Sequence, residues 1–530
     1  MKENDDRNTK NNISSKPVKL SRTENTELNI VFGFLNKIVT LFLPFAVRTV
    51  FIYTLGAEFL GLNSLFVSIL QVLNLTEMGF ASAIVYSMYQ PIADGNNDLV
   101  CALLALYRKA YKIIGLVIVL LGLCIMPFLR HLIKGEIPDG INMYILYLMV
   151  LSNTVLSYFL FAYKQSLFMA NQEQRFVDNI ASVTSVIKSI LQIILLVIYK
   201  NYYFYLVVTP IFTIVNNLII GVVTARRFPQ FKAEGRLPKA TLYTIKKNIG
   251  GLMIQKLCRT TRNSLDSIII SAFIGLTATA LYNNYFLIIT AIHGLLSIFT
   301  SSMQGSVGNS VATESVEKNH EDMQKFTFMF AWISGVCTVC LVCVFQPFMT
   351  LWLGEEMLLP NHIMLAFCFY LYLLTAGDVS SIYTSAAGLF WEQRWRAVIE
   401  SIANLVLNLI LGKYLGLFGI VTATIISILS INFIYGTSID YKFYFKNGKL
   451  YQYYLNSFLY MGVTTSVCGY MIFITNKIHI NGWTGLIVKA VLAFFCANMI
   501  YFIVYCKNKY FKASFSMIRR IVTKKTGRIE

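Results

Sequence analysis

The sequence predicts an all-α integral membrane protein of about fourteen transmembrane helices, two pseudo-symmetric six-helix lobes plus two extra C-terminal helices. Three observations carry that reading. Of 530 residues, 56% are apolar and only 13% charged, about half the charged share of a soluble protein, and the mean hydropathy is +0.60. Mostly apolar stretches recur from end to end, each long enough to cross ~30 Å of hydrocarbon as a helix. The connections between them alternate between rich and poor in Lys and Arg, as cytoplasmic and external loops do. So few charges could not cover a soluble surface. The composition excludes a secreted disulfide scaffold, a nucleic-acid module and a cytosolic enzyme with a small anchor. Topology is the first explanation for the excess of 45 Lys and Arg over 26 Asp and Glu.

Residues 1–28 are polar and charged, without the apolar core and small-residue cleavage site of a signal peptide, and read as a disordered cytoplasmic tail. Spans follow near 29–55, 60–89, 112–132, 143–168, 177–199 and 203–225, giving an N-lobe over 29–225. The connection 226–247, with seven basic residues and two prolines, is a basic cytoplasmic linker. Spans near 248–274, 278–310, 323–349, 361–388, 395–413 and 417–439 form a C-lobe over 248–440. Two more, near 452–475 and 483–505, fall in 441–505, and 506–530 is a basic amphipathic tail. There Phe511, Phe515, Ile518 and Val522 recur at helical spacing among Lys and Arg, the pattern of a helix lying on anionic lipid.

With both termini cytoplasmic, inside segments carry 33 of the 45 basic residues and outside segments 5. Losing one span would scramble that alternation. Trp352, Trp391, Trp395 and Trp483 stand at span ends, where an aromatic belt belongs. The halves also echo each other. Leu55-Gly56 and Gly61-Leu62 with Phe66 match Ile274-Gly275 and Ala280-Leu281 with Tyr285 at the same offsets, as a duplicated six-helix unit requires. Cys337, Cys340 and Cys343 have metal-ligand spacing but sit in an apolar helix without a nearby His, so they read as small packing residues.

Seven basic residues remain inside spans: Lys37, Arg48, Lys188, Lys256, Arg259, Arg262 and Lys489. Each costs ~2.5–3.5 kcal/mol at mid-membrane, so they must face a wet or protein-lined interior or snorkel to the interface. Lys188 and Lys489 read as snorkelers. Lys37 and Arg48 are three turns apart on one face of the first span, about 16 Å, with Thr40 and Pro44 between them. The seventh span carries Lys256, Arg259 and Arg262 with Asp266, which is spaced to pair with Arg262. Span five shows Asp178, Ser182, Ser185, Ser189 and Gln192 along one face. Interior acids are Glu77, Asp266 and Asp378, whose two readings are ion coupling (H+ or Na+) and static charge compensation; Asp266 beside Arg262 reads as compensation, whereas Glu77 and Asp378, with no basic residue within a helical turn, are the better coupling candidates. The cationic surplus points to a shared cavity for an anion, and phosphate or diphosphate suits Arg particularly well.

The external connections are short, the five histidines are scattered, and neither a phosphate-cradling Gly-rich loop after a strand nor a nucleophile elbow occurs. The chain therefore reads as a transporter, not an enzyme, without metal or cofactor. The run from Arg48 to Gly115 resembles bacterial polysaccharide flippases of the Wzx type, in the multidrug/oligosaccharidyl-lipid/polysaccharide exporter superfamily. The resemblance rests on Leu60-Gly61-Leu62-Asn63, on Glu77-Met78-Gly79-Phe80 with Ser82-Ala83-Ile84, and on Tyr107-Arg108-Lys109, and it extends loosely over 29–505. It implies two lobes around a central cationic cavity that opens alternately to either side. It also implies a polyprenyl-diphosphate-linked oligosaccharide as substrate, moved across the bacterial cytoplasmic membrane for capsule, exopolysaccharide or cell-wall glycan export. Arg48 and Arg262, with Arg259 as second choice, stand where the family's diphosphate-binding arginines are expected, and the last two helices would border the lipid tail. Membrane lipids, glycan polymerase and glycosyltransferases are the partners this implies, and nucleic acid is not. A cation-coupled multidrug exporter of the same superfamily is the main alternative, and a non-transporting scaffold for glycan synthesis the lesser one.

Overall fold

The computed structural model describes residues 22–74, 80–237, 260, 264–446, 449–478, 480 and 482–514. It is 87% helical, and no strand occurs among the described residues. This is the answer hydrocarbon imposes: with no water to satisfy backbone N–H and C=O groups, a chain this apolar must satisfy them within helices. The first half comprises α1 (Arg22–Leu55), α2 (Ala57–Leu73), α3 (Phe80–Ala93), α4 (Asn97–Ile125), α5 (Met143–Phe159), the short α6 (Gln165–Ala170), α7 (Gln174–Tyr199) and α8 (Tyr202–Arg227). The second comprises α9 (Ser264–Phe273), α10 (Leu276–Thr313), α11 (Val316–Leu353), α12 (Asn361–Ala386), α13 (Arg394–Ser427) and α14 (Gly436–Asp440). α15 (Leu450–Thr475) and α16 (Gly482–Tyr505) follow. Nine helical runs among the described residues are long and apolar enough to cross a membrane, or ten if the bent α5–α6 pair is one span.

Helix starts are chemically marked. The side chains of Asn96, Asn142, Asn201 and Ser315 accept hydrogen bonds from the free backbone N–H groups of Leu99, Tyr144, Tyr203 and Lys318, opening α4, α5, α8 and α11. Several spans are less regular than the sequence suggests. The second is split into α2 and α3, and the fourth bends by 48° between α5 and α6, where Phe161 takes φ 50°. The helical run Arg394–Phe445 is a hairpin rather than one span. Gly416 (φ 59°, ψ −136°) turns it back, and Asn404 on the outgoing arm donates to Thr424 (3.1 Å) and Ser427 (3.3 Å) on the return. The arms approach so closely that a Cβ on Gly419 would lie 2.0 Å from the Leu411 carbonyl oxygen. The return arm continues past its expected end at 439 through π-helical turns at Ile428–Tyr435 and Tyr441–Phe445.

The halves meet through α2 and α10, and more lightly through α1 and α11. A Cβ on Gly61 would sit 2.0 Å from the Leu276 carbonyl oxygen, so only glycine permits this approach. The echo read in the sequence is physical: Gly56 (φ 95°) and Gly275 (φ 131°) make matching turns before α2 and α10. Phe66 and Tyr285, ten residues on in each half, are completely buried. α15 and α16 pack against α11, where Cys343 is buried and Cys340 partly buried among Val467, Ala493, Ala497 and Tyr501. Ile487, Val491, Phe495 and Met499 on α16 are exposed, the lipid-facing side of such a helix. Phe511 departs from the expected lipid-facing tail. It stacks on Trp332, 5.7 Å between centroids, and meets Phe502 edge-on. Phe515, Ile518 and Val522 lie outside the described residues.

Candidate functional site

Two antiparallel helices from different halves, α1 and α10, enclose a cleft of about 160 Å³ lined by Thr40, Leu41 and Pro44 from α1 and by Leu287, Thr290, Ala291 and Gly294 from α10. One turn from Pro44 on α1, the Arg48 Nε–H donates to the Oδ1 of Asn284, which lies three residues before Leu287 on α10. Two donors remain unused there. Both Arg48 Nη2 and Asn284 Nδ2 are buried without a hydrogen-bond partner among the described residues. A buried, unpaired N–H costs about 1–3 kcal/mol, more on a charged group, so these two donors on residues already bonded to each other call for an acceptor. Lys37 is three turns earlier on α1.

Beyond Arg48, toward the Gly56–Gly275 end, the halves are closed. The Trp352 indole N–H donates to Thr49 Oγ1 at 2.6 Å, and the Tyr53 hydroxyl donates to the Trp352 carbonyl at 3.1 Å. Phe45 packs against the Trp352 ring with centroids 5.1 Å apart. The Lys134 backbone N–H donates to the Ser271 carbonyl at 2.9 Å. Deeper, fifteen residues along α2 from Gly56, Ser264 on α9 also joins the halves by donating to Gln71 at 3.0 Å. The cleft on the Lys37 side of Arg48 is thus a blind recess.

The acids fall in different surroundings. Asp266, 2% exposed on α9, accepts from Asn408 Nδ2 (2.6 Å) on its Oδ1 and from Tyr282 (2.9 Å) and Thr424 (3.2 Å) on its Oδ2. Its expected partner Arg262 lies outside the described residues, as do Lys256, Arg259 and Glu77. The Lys37 side chain is also outside what is described. Asp378 on α12 has an ionisable partner that sequence spacing does not offer, His293 Nε2 of α10 at 3.2 Å. The pair opens on a cavity of about 280 Å³ inside the second half, reached also by Arg396, Glu400 and Asn432. Of the span-five stripe, Ser182 and Ser189 are buried, and Gln192 donates to Tyr205 O (3.3 Å) and Thr209 (3.1 Å) of α8, which is helix-to-helix bonding. Lys188 and Lys489 are half-buried.

Sequence reasoning passed over Asn284, His293, Arg396, Glu400, Asn404 and Asn408. Asn284 and His293 carry no signal of their own. The others do: Arg396, Glu400, Asn404 and Asn408 recur at four-residue steps, a polar stripe on one face of α13. Arg396 stands in the first turn of that helix, paired with Glu400 at 3.0 Å. Among the described residues no group of three His, Cys, Asp or Glu could hold a metal ion.

No protein-family model matches the chain, and no curated protein does. Solved structures do match. The lipid II flippase MurJ in an inward closed conformation aligns over 90% of this chain and 99% of its own, with a TM-score of 0.66 and 15% identity. A multidrug resistance MATE family transporter of the MOP superfamily, in an inward-facing conformation, aligns over 76% of this chain and 94% of its own, with a TM-score of 0.61 and 14% identity. A mutant of the Vibrio cholerae MATE transporter VcmN aligns over 81% and 100%, with a TM-score of 0.55 and 16% identity. At such identities the likeness is one of fold. The chain is a multi-pass membrane protein with the fold of these transporters.

Proposed function

We propose that the protein is a flippase that carries a polyprenyl-diphosphate-linked oligosaccharide across the bacterial cytoplasmic membrane for glycan export, by alternating access between its halves. The observation that carries this reading is the pair of unused buried donors, Arg48 Nη2 and Asn284 Nδ2, between the halves and about one helical turn from a cleft that α1 and α10 enclose. Each can donate to a phosphate oxygen, and a charge-assisted bond from Arg is the stronger. A diphosphate cannot cross hydrocarbon unaided, whereas a polyprenyl tail need never leave it. The protein has to supply the headgroup with a polar path while the tail stays in lipid.

In this reading Arg48 and Asn284 hold the diphosphate, and Lys37, Lys256, Arg259 and Arg262 supply it with further positive charge. The Gly56–Gly275 end is external and closed, so the cleft receives its cargo from the cytoplasm. Breaking the Thr49–Trp352 and Tyr53–Trp352 contacts would open the other side. Coupling to H+ or Na+ belongs to the same proposal. Against the sequence expectation of charge compensation, we take Asp266 as a candidate beside Glu77 and Asp378, because hydroxyls of Tyr282 and Thr424 face its carboxylate and Asn408 Oδ1 has no hydrogen-bond partner among the described residues.

Export of the glycan in cells tests the reading. Arg48→Ala and Arg262→Ala abolish export while protein levels hold, and Lys489→Ala is mild. Normal export in both Arg variants overturns the assignment.

A further inference from the structure

The cavity inside the second half has a character opposite to that of the recess at Arg48. Its about 280 Å³, the volume of roughly nine waters at ~30 Å³ each, is far more than one ion needs. Its charges are already engaged. Asp378 faces His293 at 3.2 Å, while Arg396 holds Glu400 at 3.0 Å and donates to Asn432 Oδ1 at 2.6 Å. Just behind the wall, Asp440 accepts from Ser380 (2.6 Å), Thr384 (2.8 Å) and Gln393 (2.9 Å). A phosphate would meet two lining carboxylates and an arginine already committed, so this wall does not select an anion.

It presents hydrogen-bonding oxygens instead. Gln393 Oε1 and Thr437 Oγ1 are buried with no partner among the described residues, and both residues line the cavity. Ser381 and Ser385, a turn apart on α12, donate to the Gly377 (3.3 Å) and Ser381 (2.9 Å) carbonyls, which leaves their own oxygens free to accept. The π-helical turn Ile428–Tyr435 brings Asn432 and Phe433 to the same space. Gly436 lets the Arg396 chain pass, since a Cβ there would lie 2.8 Å from Arg396 Cδ. A wall of carboxylates, serine hydroxyls and unused amide and hydroxyl oxygens, its one arginine committed, fits a neutral ligand rich in hydroxyl groups that donate to them. His293 lies nine residues from Asn284 on α10, about 14 Å along the helix axis.

We infer that the cavity lined by Asp378, Ser381, Ser385, Gln393, Asn432 and Thr437 is a saccharide subsite, which receives the neutral sugar portion of a cargo whose phosphates are held at Arg48. The inference rests on the flippase reading and adds a second, separable locus of recognition. The Arg48 recess reads the diphosphate, common to all such carriers, and this cavity reads the glycan.

The test uses the full chain in lipid nanodiscs with two probes, synthetic undecaprenyl diphosphate and the lipid-linked glycan extracted from membranes of the host cell. Wild-type protein is expected to bind the glycosylated carrier more tightly than the bare one. Thr437→Val is isosteric and breaks no bond of the empty protein, so it should fold. It is expected to reduce the preference about fivefold, the worth of one neutral hydrogen bond, and leave binding of bare undecaprenyl diphosphate unchanged. Ser381→Phe with Ser385→Phe fills the cavity and is expected to abolish the preference, whereas Arg48→Ala weakens both probes equally. Retention of the full preference in both cavity variants overturns the subsite, as does equal wild-type affinity for the two probes. Wild-type protein that binds neither probe overturns the flippase reading itself.

Discussion

Arg48 shows what a single residue discloses. A guanidinium in an apolar span is conspicuous in a sequence, because its cost demands an explanation. Asp266 and Asp378 stand out for the same reason. Their partners do not: Asn284, His293 and Asn408 are unremarked polar residues until packing sets them opposite a charge 236, 85 and 142 positions away in the chain. The bonds that Asn408, Tyr282 and Thr424 donate to Asp266 all come from neutral groups. Asn408→Leu therefore removes a bond to a carboxylate at a buried site and should lower stability by about 1.5–3 kcal/mol. The fall in thermal midpoint measures it. Adding Asp266→Asn should relieve part of the loss, because a neutral amide tolerates the missing donor better. A strictly additive double variant would contradict the coupling.

At the scale of elements, the positions of helices were legible and their interruptions were not. Hydropathy separates the eleventh and twelfth spans around residue 416, but the tight return between them depends on backbone geometry. Gly416 occupies φ 59° with ψ −136°, a region closed to side chains bearing a Cβ. Gly416→Ala should cost about 1–3 kcal/mol, seen as a lower thermal midpoint. Gly462→Ala, on α15 with open space where its Cβ would stand, should leave the midpoint unchanged or raise it. The stripe Arg396, Glu400, Asn404 and Asn408 was readable from period alone. Its division of labour was not, since Arg396 and Glu400 face a cavity while Asn404 and Asn408 lock the hairpin and Asp266.

Among the described residues the halves are joined at the Gly56–Gly275 end by Gly61 against Leu276, by Thr49, Tyr53 and Phe45 against Trp352, and by Lys134 against Ser271. If transport requires those contacts to part, a bond across them must stop it. Tyr53→Cys combined with Trp352→Cys, bridged by a short reducible bis-methanethiosulfonate reagent that spans the place of the lost rings, should block glycan export and recover on reduction. Each single variant should respond to neither treatment. Export that continues while the cross-link is complete would show that the halves do not separate there.

Composition and hydropathy by themselves determined that this chain is helical and spans a membrane, because hydrocarbon leaves an apolar backbone no other way to satisfy its hydrogen bonds. They also marked the Gly56 and Gly275 turns and singled out Arg48, since each has a physical cost readable one residue at a time. Only the tertiary structure decided which polar groups meet, which end is shut, and that the second half contains a polar cavity of its own. Those outcomes depend on how helices far apart in sequence are rotated against each other, and a hydrophobic pattern specifies the lipid face of a helix far more tightly than the neighbour it turns toward.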